Sequence, residues 1–182
     1  MAPLAQGQRP LAALVTCSDA RIVPSLFTGA RPGELFELRT AGNVIPPYRR
    51  DAACAVAASL EFAVEQLRLP DLIVCGHSHC AVVRCLIERS VPSRLPLLHR
   101  WLIASAGHLP PVDSPLSPGP QEARIAEAAQ RHILTQLGHL WTYPWVERRV
   151  RSGQLRLHAW YYTVETGQIL AGLPGTSTFE AL

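Results

Sequence analysis

The chain contains no lysine, so all 17 of its basic residues are arginines. Schiff-base enzymes, pyridoxal phosphate enzymes and P-loop nucleotide hydrolases each depend on a lysine side chain, and the sequence excludes these three classes. The arginines are scattered, with pairs at positions 49–50 and 148–149 but no basic run. We therefore expect no nucleic acid among its partners.

Long hydrophobic runs are absent as well. The runs around residues 54–64 and 71–75 are shorter than the roughly 20 residues that a membrane span requires, so no membrane association is expected. The apolar stretch at residues 11–15 is shorter than the ~7–15 residues of a signal-peptide core. These features predict a cytoplasmic protein.

The five cysteines, an odd number, favour reduced thiols over a disulfide framework. Apolar surroundings suit reduced thiols, and no Cys-x-x-Cys pair is present, which makes a thiol redox protein an unfavourable interpretation. At 182 residues, with 48% hydrophobic and 17% charged residues, the chain fits a single globular domain over residues 1–182.

Short apolar runs alternate with helical patterns along the chain. Strands are predicted at residues 11–16, 33–39 and 72–75, and a helix at residues 51–67 with Asp51 as its N-cap. The remaining expected elements are helices at 78–89, 95–106, 121–140 and 144–151, a loop at 107–120, and strands at 154–164 and 167–170 around a turn at 165–167. This alternation predicts an α/β fold: an open, mostly parallel sheet of about four strands flanked by helices, with a late antiparallel edge strand.

Three potential metal ligands stand at the predicted strand ends. Cys17 follows the first strand, whereas His77 and Cys80 follow the third and begin its helix. Sites in open α/β sheets form at the carboxyl ends of the strands. Two thiolates and one imidazole suit zinc and leave one tetrahedral position open. From spacing alone, two buried cysteines and a capping histidine remain an equal alternative.

Asp19 and Arg21 alternate with Cys17, so in extended backbone all three would lean the same way. Arg21 is expected to hold Asp19 in a two-point ion pair, which keeps the carboxylate ionised as a hydrogen-bond acceptor.

Three motifs carry a resemblance to a known family. They are CSDAR at residues 17–21, RTAGN at 39–43 and GHSHC at 76–80. The chain resembles the beta-class carbonic anhydrases in the order and separation of these motifs, and over nearly its whole length. The resemblance implies that Cys17, His77 and Cys80 bind one zinc ion per chain and that Asp19 and Arg21 form the catalytic dyad. It also implies reversible hydration of carbon dioxide to bicarbonate by a zinc-bound hydroxide that the dyad orients.

The same resemblance implies a homodimer, or a multiple of dimers, whose substrate pocket takes residues from both chains. The matching positions are Gln8, Phe36, Ala41 and Phe62. His79 lies between two ligands and is a candidate proton relay, the alternative being a local hydrogen bond at a helix start.

Several positions depart from the family pattern. Phe62 stands where tyrosine is frequent, Ala81 replaces a glycine, and only 16 residues precede Cys17, so the expected N-terminal arm is short. Members that switch to an inactive form, with the aspartate on the zinc, carry tryptophan and glycine where this chain has Leu14 and Thr16. We therefore expect the open form.

Two other functions stay open at this stage. The same zinc chemistry would hydrolyse carbonyl sulfide or carbon disulfide, and a non-catalytic zinc-binding homologue is a further alternative. The intact pair Asp19 and Arg21 favours an enzyme.

Overall fold

Six strands form one sheet in the computed structural model, which describes residues 2–105 and 121–182. Their order across the sheet is β2-β1-β3-β4-β5-β6. The strands are β1 (Ala12–Cys17), β2 (Leu35–Thr40), β3 (Asp71–His77), β4 (Arg156–Thr163), β5 (Gln168–Gly172) and β6 (Phe179–Ala181).

The first four strands run parallel. β1 pairs with both β2 and β3, and β3 pairs with β4, while β5 and β6 are added antiparallel. The predicted α/β class, with a mostly parallel sheet and a late antiparallel extension, is confirmed. β6 was not predicted, because three residues are too few for an alternation of apolar and polar side chains to indicate a strand.

Helices cover the sheet and the segments between its strands. They are α1 (Pro24–Thr28), α2 (Ala55–Glu61), α3 (Ala81–Ile87), α4 (Pro96–Ser105), α5 (Gln121–Trp141) and α6 (Pro144–Arg151), with one π-helical turn (Phe62–Gln66) after α2. The helices predicted at 95–106, 121–140 and 144–151 are found within a residue or two. The loop predicted at 107–120 lies outside the described residues, as does Ala106. Among the helices that are described, none has the length and apolar character to cross a membrane.

Two predicted helix starts were wrong. α2 begins at Ala55 rather than near Asp51, and its cap is Cys54, whose sulfur accepts the backbone N–H of Ala57 at 3.4 Å. Residues 51–53 are exposed or part of a turn, so Asp51 has no helix to cap. α3 begins at Ala81 rather than near Ser78, because His79 has φ 54°, a left-handed conformation that a helix does not accommodate.

The main core lies on one face of the sheet. Side chains of β1 alternate between its faces, so Ala13, Val15 and Cys17 join α2, α5 and α6 in one large buried cluster. Leu14 and Ala12 point the other way, into a smaller cluster that includes Phe27 of α1. All six residues of β1 are buried, as expected for a central parallel strand.

Helix α5 packs closely against β3 at Gly76. A Cβ atom at this position would lie 2.7 Å from Cγ1 of Ile133, a side chain with no exposed surface. The absence of a side chain at Gly76 therefore lets α5 rest directly on the strand that ends in His77.

We predict that Gly76→Ala lowers the free energy of unfolding by about 1–3 kcal/mol, because the new methyl group overpacks this contact. Urea denaturation measures the loss, which should be smaller when Gly76→Ala is introduced into an Ile133→Ala chain, because that chain lacks both Cγ1 and Cδ1. Gly138→Ala is the matched control, since no atom lies within 4 Å of its added Cβ and alanine is the better helix former. An equal loss from Gly76→Ala in the wild-type and Ile133→Ala backgrounds would contradict the contact.

Candidate metal centre

Three buried ligand groups meet at the carboxyl edge of the sheet. Cys17 is the last residue of β1, His77 is the last residue of the adjacent parallel β3, and Cys80 follows three residues later. The metal-binding atoms of the three side chains all lie within 4.8 Å of one another. The two sulfurs are 3.8 Å apart. The predicted convergence of these three residues is therefore what the fold produces.

The turn between His77 and Cys80 brings two ligands to one point without a helix. The prediction that these two residues begin the helix was wrong, since helix α3 starts only after Cys80. The backbone N–H of Ser78 donates to the carbonyl of Tyr162 at 2.9 Å, and its hydroxyl donates to Glu165 at 2.7 Å. Ala81, the departure from the family glycine, is the first residue of α3 and is exposed, so its methyl group fits the helix.

The protonation of His77 leaves one nitrogen ready to bind a metal. Its Nδ1 lies 2.8 Å from the carbonyl oxygen of Ser78, and because a carbonyl only accepts, Nδ1 carries the hydrogen. Its Nε2 is buried and has no hydrogen-bond partner among the described residues. A buried unpartnered acceptor is costly unless something binds it. With two sulfurs beside it, the donor set fits zinc in a tetrahedral site that keeps one open position.

The electrostatics of the two thiols favour a negative charge on Cys17. Donation by the Cys80 thiol lowers the pKa of Cys17, and the backbone N–H groups of Asp19 and Gly42 lower it further, against the opposing effect of burial. The same contact with Cys17, together with burial, raises the pKa of Cys80. A divalent cation between the sulfurs would remove this conflict and ionise both thiols.

Asp19 and Arg21 form the expected two-point ion pair beside the ligands. The guanidinium donates from Nε to Oδ1 at 2.9 Å and from Nη2 to Oδ2 at 2.7 Å. These bonds hold the pKa of Asp19 below its usual range. The predicted extended backbone was wrong, because β1 ends at Cys17 and residues 18–21 turn, with the N–H of Arg21 donating to Asp19 Oδ1. Asp19 thus stays on Arg21 and outside the three-ligand group, as expected of the open form.

Arg39 fixes the loop that carries this pair. Its guanidinium donates to the carbonyls of Cys17 at 3.1 Å and of Asp19 and Ile22 at 2.8 Å each. No role for Arg39 was predicted from the sequence. Arg39 lies in β2 in register with Thr16, which places it next to the end of β1. This neighbourhood could have indicated a role at the site.

Helix α5 presents three polar side chains, of which His132 and Gln136 are buried, to the 41–45 segment that leaves β2 beside the ligands. His132 Nε2 lies 2.9 Å from the carbonyl of Gly42, Gln136 accepts the N–H of Ile45 at 2.8 Å, and His139 Nδ1 lies 2.6 Å from the Ile45 carbonyl. These residues were missed as well. Their spacing of four and three places them on one helix face, but the sequence does not say which segment that face meets.

The residues expected to line a substrate pocket are only partly brought together. Phe36 and Phe62 pack with ring centroids 6.1 Å apart, and Ala41 directly follows Thr40, the register partner of Cys17. Gln8 lies at the other end of the sheet, in a surface depression near the start of β2 that Arg31 and Glu34 also line. Within one chain, Gln8 is therefore remote from the metal ligands.

His79 is not part of the three-ligand group and contacts carboxylates instead. Its Nε2 contacts a carboxylate oxygen of Glu165, and its Nδ1 lies 4.0 Å from Glu122. These three residues border a cavity of about 260 Å³ that His77 and Cys80 also line. The carbonyl of His79 accepts from Arg21 Nη2 at 3.0 Å, which ties the ligand turn to the ion pair.

Comparison with known proteins places this geometry in a family. The sequence model of the family described as carbonic anhydrase matches residues 12–169. A carbonic anhydrase of Synechocystis is 40% identical over 169 residues, which are 92% of this chain and 61% of that protein. The chain thus spans less than two thirds of that relative.

Solved structures give the same result for the fold. The beta-carbonic anhydrase CcaA is 36% identical with a TM-score of 0.88, covering 100% of this chain and 88% of its own. Tetrameric beta-carbonic anhydrases from Sordaria macrospora superpose with a TM-score of 0.75 at 21% identity, covering 96% of this chain and 85% of theirs. At that lower identity the likeness concerns the fold alone.

We predict that the buried His132 makes the fold sensitive to acid. Burial lowers the pKa of His132 to about 4, below the ordinary value of about 6.5. As pH falls through this interval the unfolded chain binds the proton first, so the free energy of unfolding declines, by about 3 kcal/mol at the lower end. Urea denaturation from pH 7 to pH 4.5, with a chelator present, should give a shallower decline for His132→Gln.

The exposed His99 supplies the control, because His99→Gln should leave the decline unchanged. Parallel declines for the wild type and His132→Gln would contradict the prediction.

Proposed function

Because this chain belongs to the beta-class carbonic anhydrase family, we propose that it interconverts carbon dioxide and bicarbonate. The observation that carries the proposal is the convergence of Cys17, His77 and Cys80 beside an ion-paired Asp19. A structural metal site has no need of such a carboxylate. Family membership together with this arrangement favours a catalytic site.

Cys17, His77 and Cys80 would bind one zinc ion per chain. The unpartnered Nε2 of His77 and the lowered pKa of Cys17 support this assignment. A zinc ion in this place supplies a Lewis acid that lowers the pKa of a water molecule from that of bulk water towards about 7. All three side chains are buried, so a zinc ion that they held would lie largely screened from bulk water.

Asp19 orients the attacking water. Its carboxylate is ionised, and Arg21 donates one hydrogen bond to each of its two oxygens, which fixes the orientation of the group. The carboxylate then accepts a hydrogen bond from the water. This bond aligns the oxygen lone pair with the carbon of the substrate. Arg21 is itself anchored to the carbonyl of His79, which links the direction of the carboxylate to the ligand turn.

The substrate pocket would be completed by a second copy of the chain. Phe36, Phe62 and Ala41 offer apolar surface suited to carbon dioxide, and Phe62 remains 44% exposed. Gln8 lies too far along the sheet to serve the centre of its own chain, so its proposed contact with a substrate oxygen is made to the centre of a partner copy. We therefore propose a homodimer or a multiple of dimers.

His79 would move the released proton. Its contacts with Glu165 and Glu122 at an exposed edge connect the ligand turn to solvent.

All five cysteines are free, and two of them are needed as metal ligands, which supports a reducing compartment such as the cytoplasm.

Hydrolysis of carbonyl sulfide or carbon disulfide remains the second candidate, since the same acidified water would attack those linear molecules. Stopped-flow assays on one zinc-loaded sample separate the substrates. Full zinc content without carbon dioxide hydration would overturn the proposed reaction and leave carbonyl sulfide hydrolysis or a non-catalytic role.

We predict that Asp19→Asn lowers kcat/KM for carbon dioxide hydration by about 10²-fold or more, since the amide no longer orients the attacking water. Zinc content should stay at about one per chain, because Asp19 is not among the three ligands. Asp51→Asn is the control, an exposed carboxylate outside the site. Wild-type activity in Asp19→Asn would contradict the role.

We predict that removal of zinc lowers the melting temperature by about 10 °C. A ligand at about 1,000 times its Kd stabilises the native state by about 4 kcal/mol, and 1 kcal/mol corresponds to about 2–4 °C at this chain length. Calorimetry with and without a chelator gives the difference. Cys17→Ser should abolish it, whereas Cys85→Ser, outside the ligand group, should retain it. An unchanged melting temperature in the wild type would contradict metal binding at this site.

A further inference from the structure

The turn that joins His77 to Cys80 contains a backbone conformation that needs support from outside. His79 has φ 54°, in the left-handed region, and a non-glycine residue keeps this conformation only where its surroundings enforce it. Helix α3 begins at Ala81, so the two residues between the ligands precede the hydrogen bonds of the helix. The conformation of this turn therefore depends on contacts with other elements.

The end of β4 and the turn of the β4–β5 hairpin (residues 164–167) supply three hydrogen bonds to Ser78. The N–H of Ser78 donates to the carbonyl of Tyr162 at 2.9 Å. Its hydroxyl accepts the N–H of Val164 at 2.9 Å and donates to the carboxylate of Glu165 at 2.7 Å. Ser78 is 7% exposed, so water has little access to replace these bonds. Together they fix the position of Ser78 relative to the hairpin.

The hairpin turn is itself well ordered by hydrogen bonds. The N–H of Gly167 donates to the carbonyl of Thr163 at 2.8 Å, and Thr163 pairs with Gln168 across the two strands. Glu165 lies between these residues, and the bond from the Ser78 hydroxyl lowers the pKa of its carboxyl group. The carboxylate is therefore ionised at neutral pH. A hydroxyl that donates to it makes a charge-assisted hydrogen bond, which is roughly twice as strong as a neutral one.

The carbonyl of Ser78 connects this fixed position to the ring of His77. Nδ1 of His77 donates to that carbonyl at 2.8 Å, which leaves Nε2 as the one acceptor of the ring. Nε2 is buried and has no hydrogen-bond partner among the described residues. A rotation of the Ser78 peptide would remove the acceptor of Nδ1 and allow the ring to turn.

We propose that Ser78 is a positioning residue, through which the β4–β5 hairpin holds the His77 ring in the orientation that binds the metal. This inference rests on the proposed metal site. The hairpin contributes no ligand, yet it fixes the Ser78 carbonyl, and that carbonyl fixes the ring. Loss of an outer contact of this kind typically weakens metal binding by about 10–100-fold. Because Ser78→Ala leaves the carbonyl itself in the chain, we expect a loss near the lower end of that range.

The test uses the cobalt-substituted protein, in which unpaired electrons shift the proton signals of a ligand ring far from all others. The Nδ1–H of His77 is the shifted ring proton that exchanges with solvent, since carbon-bound protons do not. In Ser78→Ala this proton should exchange with D2O severalfold faster, and metal retention against a chelator should fall about tenfold. Ser78→Thr keeps the hydroxyl, and its methyl group has room in the cavity of about 260 Å³ that Ser78 borders. Both readouts should therefore return to wild-type values in Ser78→Thr.

Two control variants separate positioning from stability. Thr176→Ala removes a hydroxyl that likewise donates and accepts, to the Leu173 carbonyl and from the Thr178 N–H at 3.1 Å each, but at the opposite edge of the sheet. Leu155→Ala removes a side chain that is 2% exposed, just before β4 and at that same opposite edge. It should lower the free energy of unfolding. Both variants should keep the wild-type Nδ1–H exchange and metal retention.

Should Ser78→Ala fail to fold, Glu165→Ala is the second variant, because it removes the acceptor of the hydroxyl and leaves Ser78 in place. It should change both readouts in the same direction as expected for Ser78→Ala.

Either of two results would overturn the inference alone. The first is wild-type exchange and retention in Ser78→Ala, or in Glu165→Ala where it takes the place of that variant. The second is an equal change in Leu155→Ala, because lower stability would then account for the effect. A wild-type protein without shifted ring signals would instead refute the proposed metal site, and this inference with it.

Discussion

Parallel pairing of β1 with β3 is the constraint on which the rest of the site depends. Thr16 is in register with Cys75, so both strands end at the same edge and bring Cys17 and His77 together. Side chains alternate along a strand, and a slip by one residue would turn Cys17 to the opposite face. The fully buried, two-sided apolar pattern of β1 fixes that register, because either slip would displace a packed side chain.

This arrangement of ligands is energetically unfavourable as long as no metal is bound. Two sulfurs 3.8 Å apart share a buried space with an imidazole nitrogen that has no partner in the described chain. The surrounding hydrogen bonds make this arrangement possible. Arg39 holds the carbonyl of Cys17, Ser78 fixes the tautomer of His77, and Glu165 accepts from the Ser78 hydroxyl. The three ligand side chains are therefore oriented by the fold itself.

The sequence predicted what depends on strong local signals. Continuous apolar runs located β1 and β3, and with them the positions of Cys17 and His77 at strand ends. The sequence-based predictions were wrong where tertiary contacts determine the local backbone structure. Asp51 is a good cap by type, yet the helix starts at Cys54, and the left-handed His79 is stabilised by contacts with residues far along the chain.

The partners of the buried polar residues of α5 could not be predicted from the sequence either. Periodicity places His132 and Gln136 on the inner face of α5, where polar side chains look unfavourable. Their partners are backbone groups of Gly42 and Ile45, about 90 positions away in sequence. Nothing in one sequence indicates that pairing. The ion pair of Asp19 with Arg21, by contrast, spans two residues and was predictable from their chemistry.

The hairpin of β4 and β5 looks like a simple extension of the sheet, but it reaches back to the ligands. Glu165 lies in the turn between β4 and β5 and contacts Ser78 and His79, the two residues between His77 and Cys80. In the same turn, the N–H of Val164 donates to the Ser78 hydroxyl at 2.9 Å. The metal site is consequently not a detachable module of the first three strands. Transplanting it into a smaller scaffold would require the hairpin to be carried along, although neither β4 nor β5 contributes a ligand.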